Sequence, residues 1–257
     1  MVLVKNMSNQ TEDLIERMTT NGQKRALVVM AHPDDNEFVC GGTVALLTSK
    51  GWSVHIVVTT SGNKGTKDAS VTPQQLAFVR EQEQRYAAEI LGAEEPTFMG
   101  FPDGYIENSN ELRGLLVRQL RLHRPDLVIT WDGFRPGFNH RDHRRTGRAT
   151  YDAIYPAADD HLFYPLHKLD NLLPHRPSAL LLAGTDNPDY LVDVTSVMTI
   201  KVRSILAHKS QMQGRTEAMV MDRYRKRIIE ERGNDGDHTE KDNLIRYQES
   251  FKVIEFV

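Results

Sequence analysis

The sequence of 257 residues has one cysteine, no long apolar run and no excess of basic residues. The single cysteine, Cys40, excludes an intramolecular disulfide and favours a reducing compartment. No stretch approaches the roughly 20 apolar residues that a membrane span needs, and the N-terminus lacks the basic-then-apolar order of a signal peptide. We therefore expect a cytoplasmic protein without a membrane span.

Basic charge is also scarce, because 32 Lys and Arg stand against 35 Asp and Glu, for a formal net charge of -3. Proteins that bind nucleic acid through its backbone concentrate Lys and Arg, so nucleic acid is not an expected partner. The Gly-x-Gly-x-x-Gly loop of dinucleotide-binding domains is missing after the first apolar run. This absence argues against a plain nucleotide-binding module.

From Arg25 onward, short apolar runs alternate with amphipathic segments. The pattern predicts strands at 25–31, 53–60, 96–100, 126–131 and 178–183, and helices at 41–50, 73–91, 110–123 and 143–154. Strands that are apolar throughout and separated by helices indicate a parallel sheet covered on both faces. The predicted fold is α/β, a Rossmann-like three-layer sandwich with a mostly parallel central sheet. We expect a short helix or arm at 1–24 and a single domain at 25–257.

The second half of the sequence is less regular. Residues 155–177 are rich in proline and histidine and predict a long irregular surface segment, which is more often functional than idle. We expect a helix at 195–213 capped by Thr195 or Ser196, a charged helix at 219–232, a mobile loop at 233–243 and an edge strand at 249–257. Exposed edges and irregular loops also permit a homo-oligomer.

The first predicted strand opens onto a histidine and two adjacent carboxylates, in the stretch AHPDDNEFVCGG. His32 and Asp35 lie three positions apart, and Pro33 restricts the histidine to an extended backbone, so one turn can direct both side chains to one point. Asp34, between them, would face elsewhere and stay free for proton transfer. The alternative is that Asp34 or Asp35 only caps the helix that follows.

A second polar cluster, His140, Asp142 and His143, follows the fourth predicted strand. Its alternative interpretation is a solvated loop in which Asp142 caps the next helix. Two clusters at one sheet edge instead indicate a metal site, because two histidines and a carboxylate with an open position are typical of catalytic zinc. The same ligands also suit Fe²⁺ or another divalent ion, so the ligand set leaves the metal open.

The stretches AHPDDNE at 31–37 and NHRDH at 139–143 resemble the signatures A-H-P-D-D-x-E and H-x-D-H of the PIG-L/LmbE family of zinc-dependent N-deacetylases. The resemblance extends from about Arg25 to Gln211. It implies an LmbE-like fold and a hydrolase that removes an N-acetyl group from an amino-sugar-containing small molecule. An N-acetylated sugar or glycoside is therefore the expected partner, and Zn²⁺ the expected cofactor.

Matched position by position, the resemblance implies roles for the residues of both motifs. It assigns zinc binding to His32, Asp35 and His143, and the role of general base to Asp34. His140, held by Asp142, would stabilise or protonate the tetrahedral intermediate.

Further matching positions imply contacts with the substrate. Arg80 and Asp103 correspond to residues that can contact a sugar, although a helix-surface arginine and a charged turn explain them as well. His208 and Gln211 would line the pocket, with a polar helix face as the alternative. Glu37 is expected to orient other groups rather than to react.

The second motif departs from the family pattern at two positions. Arg141 replaces the usual proline, which would loosen the loop and add a positive charge near the metal. Phe138 occupies the position of a tyrosine that, in some members, is proposed to assist the oxyanion, and phenylalanine cannot donate a hydrogen bond.

Three competing functions remain at this point. A non-catalytic Rossmann-like module could bind a nucleotide or sugar without reacting it, an iron-dependent oxygenase could use the same three ligands, and an amidase could act on a non-sugar or thiol-conjugate amide. The intact ligand set argues against the first, and an oxygenase would leave Asp34 without a role.

Overall fold

The computed structural model describes residues 13–137, 139–234 and 245–256. Within these residues, seven strands form one mixed sheet in the order β3-β2-β1-β4-β5-β7-β6. Strands β1 to β5 pair in parallel, and β7 is antiparallel to both of its neighbours. The strands are β1 Arg25–Met30, β2 Ser53–Thr60, β3 Thr97–Phe101, β4 Leu127–Trp131, β5 Ala179–Ala183, β6 Tyr190–Asp193 and β7 Gln248–Glu255.

Helices cover both faces of this sheet. Their bounds are α1 Leu14–Thr20, α2 Asp35–Val39, α3 Gly41–Ser49, α4 Pro73–Leu91, α5 Asn110–His123, α6 Arg141–Asp152, α7 Met198–Ala207 and α8 Glu217–Asn234. Val28 of β1 packs in the core with α3, whereas Leu27 and Val29 pack on the opposite face with α5. Because both faces are covered, the central strands are apolar at every position. The predicted three-layer α/β sandwich is confirmed.

The C-terminal strand is not an edge strand, which corrects one prediction. β7 lies between β5 and β6, so β6 forms the edge. The pattern missed β6 because it has four residues, and most of them face solvent. So short a segment carries little periodicity.

The helix predicted at 195–213 is shorter at both ends. A turn of 3-10 helix, Thr195–Val197, precedes α7, and α7 ends before His208. Neither Thr195 nor Ser196 caps α7, because both lie inside that turn and Val197 directly precedes the helix. The helix at 219–232 is confirmed as α8, while residues 235–243 of the predicted mobile loop lie outside the described residues.

The N-terminal segment contains the predicted short helix, α1, whose Leu14, Ile15 and Met18 are buried in the sheet core. Residues 1–12 lie outside the described part of the chain. The single domain at 25–257 stays a prediction. In the parts of the chain that the structure describes, no helix has both the length and the apolar character that a membrane crossing requires.

The segment at 155–177, predicted to be irregular, is helical in part, because a π-helix, Ala153–Ala158, overlaps its start and a 3-10 helix, Pro165–Asp170, lies within it. One buried arginine of α5 holds the segment in place. Arg121 is 3% exposed, and its guanidinium donates hydrogen bonds to five backbone carbonyls. Those carbonyls belong to Ala157, Ala158, Asp160, Phe163 and Tyr164. The carbonyls of Ala158, Asp160 and Tyr164 also accept backbone N–H groups of the same segment, so the arginine adds to the hydrogen bonds of the segment itself.

Candidate active site

The two polar clusters predicted from the sequence meet at the carboxyl edge of the sheet. One follows the end of β1 and the other follows β4, its parallel neighbour. His143 Nε2 lies 3.2 Å from His32 Nδ1 and 3.2 Å from Asp35 Oδ1, and His32 Nδ1 lies 3.4 Å from Asp35 Oδ2. Donor atoms of three residues, just after β1, at the start of α2 and in the first turn of α6, therefore lie close together.

The spacing of these donor atoms suits a single metal ion. Ligands placed 2.0–2.1 Å from a tetrahedral ion are about 3.3 Å apart. The ring nitrogens of His32, His140 and His143 also offer a set within 4.8 Å of one another. The set with Asp35 is tighter, and it contains the carboxylate that balances the charge of the ion.

Carboxylates make this position favourable for positive charge. His32 Nε2 lies 3.1 Å from Asp103 Oδ1 and 3.4 Å from Asp142 Oδ2. Burial lowers the pKa of His32, but Asp35, Asp103 and Asp142 together raise it to about 12. Burial likewise raises the pKa of Asp35, yet the charges of His143 and His32 bring it well below its usual range. The position therefore favours positive charge, and a metal ion bound at Nδ1 would displace a proton from the His32 ring.

The donor groups are oriented by contacts that the sequence did not reveal. Trp131, the last residue of β4, stacks on the His143 ring at 3.9 Å and donates from Nε1 to Asp35 Oδ2 at 3.0 Å. The same oxygen accepts the backbone N–H groups of Ala31 and His32. Helix α6 approaches β4 so closely that a Cβ at Gly147 would lie 2.2 Å from the Trp131 carbonyl. Only glycine allows that approach, which places His143 beside Asp35.

Asp34 does not cap the helix that follows it. It precedes α2 with φ at 104°, a conformation unusual for a residue other than glycine, and its side chain makes no capping hydrogen bond. Its carboxylate instead lies 3.0 Å from Arg80 Nη2. Burial raises the pKa of Asp34 to about 6, although Arg80 opposes the shift. The capping alternative is therefore wrong for Asp34.

Arg80 lies inside the protein, not on the surface of α4. Its side chain is 5% exposed, and it donates to the carbonyls of Gly62, at 2.9 Å, and Pro33. The alternative of a helix-surface arginine is wrong. Because the guanidinium is engaged with Asp34 and two carbonyls, little of it is left for the sugar contact predicted from the sequence.

A buried polar network supports Asp34 from behind. The Asp34 backbone N–H donates to Gln84 Oε1 at 3.0 Å, and Gln84 Nε2 donates to Glu37 Oε1 at 2.9 Å. His208 Nε2 lies 3.2 Å from Glu37 Oε2. Burial lowers the pKa of His208, but the charge of Glu37 raises it above its usual value. All of these side chains except that of Asp34 are 0% exposed, so the polar-face alternative for His208 is wrong.

Replacing Gln84 by alanine tests this support. The change leaves the buried Asp34 N–H without its acceptor and removes one of the two donors to Glu37 Oε1, the other being Asn36 Nδ2. We expect a loss of about 1–3 kcal/mol in the free energy of unfolding. The matched control is Gln82→Ala, an exposed glutamine on the same helix, which should change stability by less than about 0.5 kcal/mol. Urea unfolding measures the free energy of unfolding of both variants. Equal values for the two variants would show that the network does not hold Asp34.

His140 and Asp142 interact through the backbone of Asp142. His140 is the residue that caps α6, and its Nδ1 accepts the N–H of Asp142 at 3.2 Å. The interpretation of Asp142 as the cap is therefore wrong. Asp142 Oδ2 accepts the N–H of Gly104 at 2.5 Å and faces His32. Burial, and then the charges of His32 and His143, lower the pKa of His140, so its ring is neutral at pH 7.

The structure describes one of the two residues that depart from the family pattern, Arg141, and not the other, Phe138. Arg141 begins α6 and donates to the carbonyls of Gly104 and Ile106 and to Glu107. It therefore joins the 104–107 turn to the helix. The prediction from the sequence that Arg141 loosens the loop is wrong. Phe138 lies outside the described residues.

Comparison with known proteins identifies related sequences and structures. The sequence model of the PIG-L family, described as GlcNAc-PI de-N-acetylase, matches residues 27–154. The chain is 34% identical over 191 residues to the diacetylchitobiose deacetylase of Thermococcus kodakarensis, a match that covers 74% of this chain and 71% of that protein.

Solved structures agree in fold. The N,N'-diacetylchitobiose deacetylase of Pyrococcus horikoshii, complexed with its inhibitor MPG, superimposes with a TM-score of 0.80 at 28% identity, covering 94% of this chain and 88% of that one. GalB, the 4-carboxy-2-hydroxymuconate hydratase of Pseudomonas putida, superimposes with a TM-score of 0.71 at 22% identity, covering 90% of this chain and 96% of that one. The second likeness shows the fold alone.

The fold and the paired motifs place the chain in the class of three-layer α/β proteins to which these deacetylases belong. Within that class, the chain belongs to the PIG-L/LmbE family.

Proposed function

We propose that this protein is a metal-dependent hydrolase that removes the N-acetyl group from a small molecule containing an amino sugar, with Zn²⁺ as its ion. The observation that carries the proposal is the convergence of His32 Nδ1, Asp35 and His143 Nε2 within 3.2–3.4 Å of one another. Membership of a family whose relatives are N-deacetylases supports the reaction, and diacetylchitobiose in the names of two relatives supports the substrate class.

His32, Asp35 and His143 would hold the ion and leave an open position for substrate. A bound Zn²⁺ ion lowers the pKa of its water and polarises a carbonyl group. Trp131 keeps His143 and Asp35 in their orientation, and Asp103 and Asp142 hold His32 by its other nitrogen. Such partners raise the basicity of a ligating histidine and set its tautomer.

Asp34 is the general base in this proposal. A pKa of about 6 makes its carboxylate ionised at neutral pH, yet basic enough to accept a proton from the attacking water. The carboxyl group then delivers the proton to the departing amine. Arg80 keeps the carboxylate in place, so we assign it to the positioning of Asp34. His208 contributes to the same positioning indirectly, through Glu37 and Gln84. Substrate contact by Asp103, which is 8% exposed, stays a prediction.

His140 would donate a hydrogen bond to the oxyanion. Since its Nδ1 accepts the Asp142 N–H, the proton of the neutral ring lies on Nε2. The lowered pKa of His140 favours this neutral donor over the protonated form expected from the resemblance. A preorganised donor of this kind stabilises the charge that develops on the carbonyl oxygen.

The experiment is to measure acetate released from a panel of N-acetylated compounds by the zinc-loaded protein. The panel comprises N-acetylglucosamine, diacetylchitobiose and N-acetylglucosaminyl glycosides, with N-acetyl amino acids and a thiol-conjugate amide as the non-sugar arm. We expect release from the sugar arm, at least a hundredfold loss after chelation, and recovery with Zn²⁺. Recovery with Fe²⁺ alone would reassign the ion. Release confined to the non-sugar arm, or none at all, would contradict the proposal.

A further inference from the structure

A second group of histidine and carboxylate side chains lies at the opposite, amino edge of the sheet. His55 is the third residue of β2 and pairs with Leu27 of β1, whereas the candidate active site follows the carboxyl ends of β1 and β4. Glu94 precedes β3, and His123 is the last residue of α5. Five residues of strand, roughly 16 Å, separate His55 from the carboxyl end of β2. The two groups are therefore distinct.

The imidazole of His55 has one nitrogen without a hydrogen-bond partner among the described residues. Its Nε2 lies 2.8 Å from the hydroxyl of Thr97, while the buried Nδ1 lies 3.5 Å from Glu94 Oε2. That distance is too long for a good hydrogen bond. It is about the separation of two ligands bound to one zinc ion. The side chain of His55 is 10% exposed, so a nitrogen left unpaired there is costly.

Both potential ligands are oriented from behind. Thr97 contacts the far nitrogen of His55, and the Ser53 hydroxyl donates to Oε1 of Glu94, which leaves Oε2 directed at His55. Metal-binding histidines and carboxylates characteristically have such outer partners.

His123 can supply a third ligand. Its ring stacks on His55 with centroids 3.8 Å apart and planes 19° apart, and donor atoms of all three residues lie within 4.8 Å. Ring lone pairs lie in the ring plane, so stacked rings do not converge on one ion, and His123 must turn about its Cβ–Cγ bond. Within the described residues no hydrogen bond holds this half-buried ring, so the turn breaks none.

The charge state of the group is also suitable. Burial lowers the pKa of His55 against the opposing charge of Glu94, and burial together with His55 lowers the pKa of His123 to about 4. Both rings are therefore neutral at pH 7 and can bind a metal without first losing a proton. The carboxyl end of α5 adds partial negative charge beside His123.

We propose that His55, Glu94 and His123 form a second binding site for a divalent transition ion, Zn²⁺ in particular, separate from the candidate active site. Two imidazoles and a carboxylate suit Zn²⁺ better than Mg²⁺ or Ca²⁺, which prefer oxygen ligands. The Glu94 side chain is 49% exposed, so solvent completes the coordination. The ion joins β2, the segment before β3 and the end of α5, and it stabilises the folded protein.

The experiment is to count zinc by elemental analysis after saturation and buffer exchange. We expect two equivalents per chain in the unaltered protein and one in each of Glu94→Gln and His123→Gln, which change partly exposed side chains and spare the buried His55. The matched control, His161→Gln, alters a histidine whose side chain is 79% exposed and should retain two. His143→Gln should lose the other equivalent.

A thermal measurement completes the test. Zn²⁺ should raise the Tm of His143→Gln, in which only the second site is intact, and should not raise that of the double variant His123→Gln/His143→Gln. If Glu94→Gln and His123→Gln keep the zinc content of the unaltered protein, or if the double variant keeps the Tm shift, the second site does not exist. The proposal does not rest on the proposed function, because loss of one equivalent in His123→Gln alone would support it even if no acetate were released.

Discussion

Replacing Asp34 by asparagine is expected to lower kcat by about 10²–10⁴-fold while zinc content stays unchanged. Asparagine has nearly the same shape as aspartate but cannot accept the proton of the attacking water. The loss corresponds to roughly 3–5 kcal/mol in the activation barrier. Acetate release under saturating substrate measures kcat, and elemental analysis measures the zinc.

The neighbouring aspartate provides the contrast. Asp35→Asn removes the carboxylate that faces both His32 and His143, so we expect it to lower zinc content as well as turnover. The pair of variants separates loss of the base from loss of the ion. Near-normal acetate release by Asp34→Asn would remove Asp34 from the role of base and leave the ligand assignment intact.

Breaking a buried ion pair between α7 and β7 is expected to have the largest effect on stability. Glu249, 5% exposed, pairs with Lys201 and accepts the N–H groups of Gly42 and Thr43 at the start of α3. Burial lowers the pKa of Lys201, but the charge of Glu249 raises it above its usual value. Lys201→Met leaves a buried carboxylate without its cation and should cost about 3–5 kcal/mol in the free energy of unfolding.

Two controls define this effect. Lys252→Met removes one partner of the Lys252–Asp189 pair, whose side chains are 45% and 48% exposed, and should cost no more than about 1 kcal/mol. The double variant Lys201→Met/Glu249→Gln should recover part of the loss, because no uncompensated charge remains. Urea unfolding of the four proteins measures the differences. Equal losses in Lys201→Met and Lys252→Met would show that burial of the pair is not decisive.

Local patterns in the sequence predicted much of the fold. The prediction for α4 is confirmed at both ends, where Thr72 and Gln75 form a capping box and Gly92 adopts a positive φ of 73°. These signals work because hydrogen bonding at a helix end involves residues within four positions of each other. β1 and β2 were equally clear, since central strands buried on both faces are apolar throughout.

The approach of the two active-site clusters was also predictable. His32 and Asp35 follow one parallel strand and His143 follows another, and the carboxyl ends of such strands meet at one edge of the sheet. The contacts of Trp131 with His143 and Asp35 could not be predicted from the sequence. A tryptophan at the end of an apolar strand has no pattern that distinguishes a packing residue from one that orients a ligand.

The sequence alone determined the strands and helices of the core, the pairing of the two motifs and the family to which the chain belongs, because each depends on short-range periodicity or on a local motif. The tertiary structure decided the environments of the charged residues. Arg80 lies inside, against Asp34, and His208 is enclosed with Glu37. Burial and the charge of a neighbour set a pKa, and both come from residues distant in the chain. For that reason the different roles proposed for Asp34 and its neighbours depend on the folded protein.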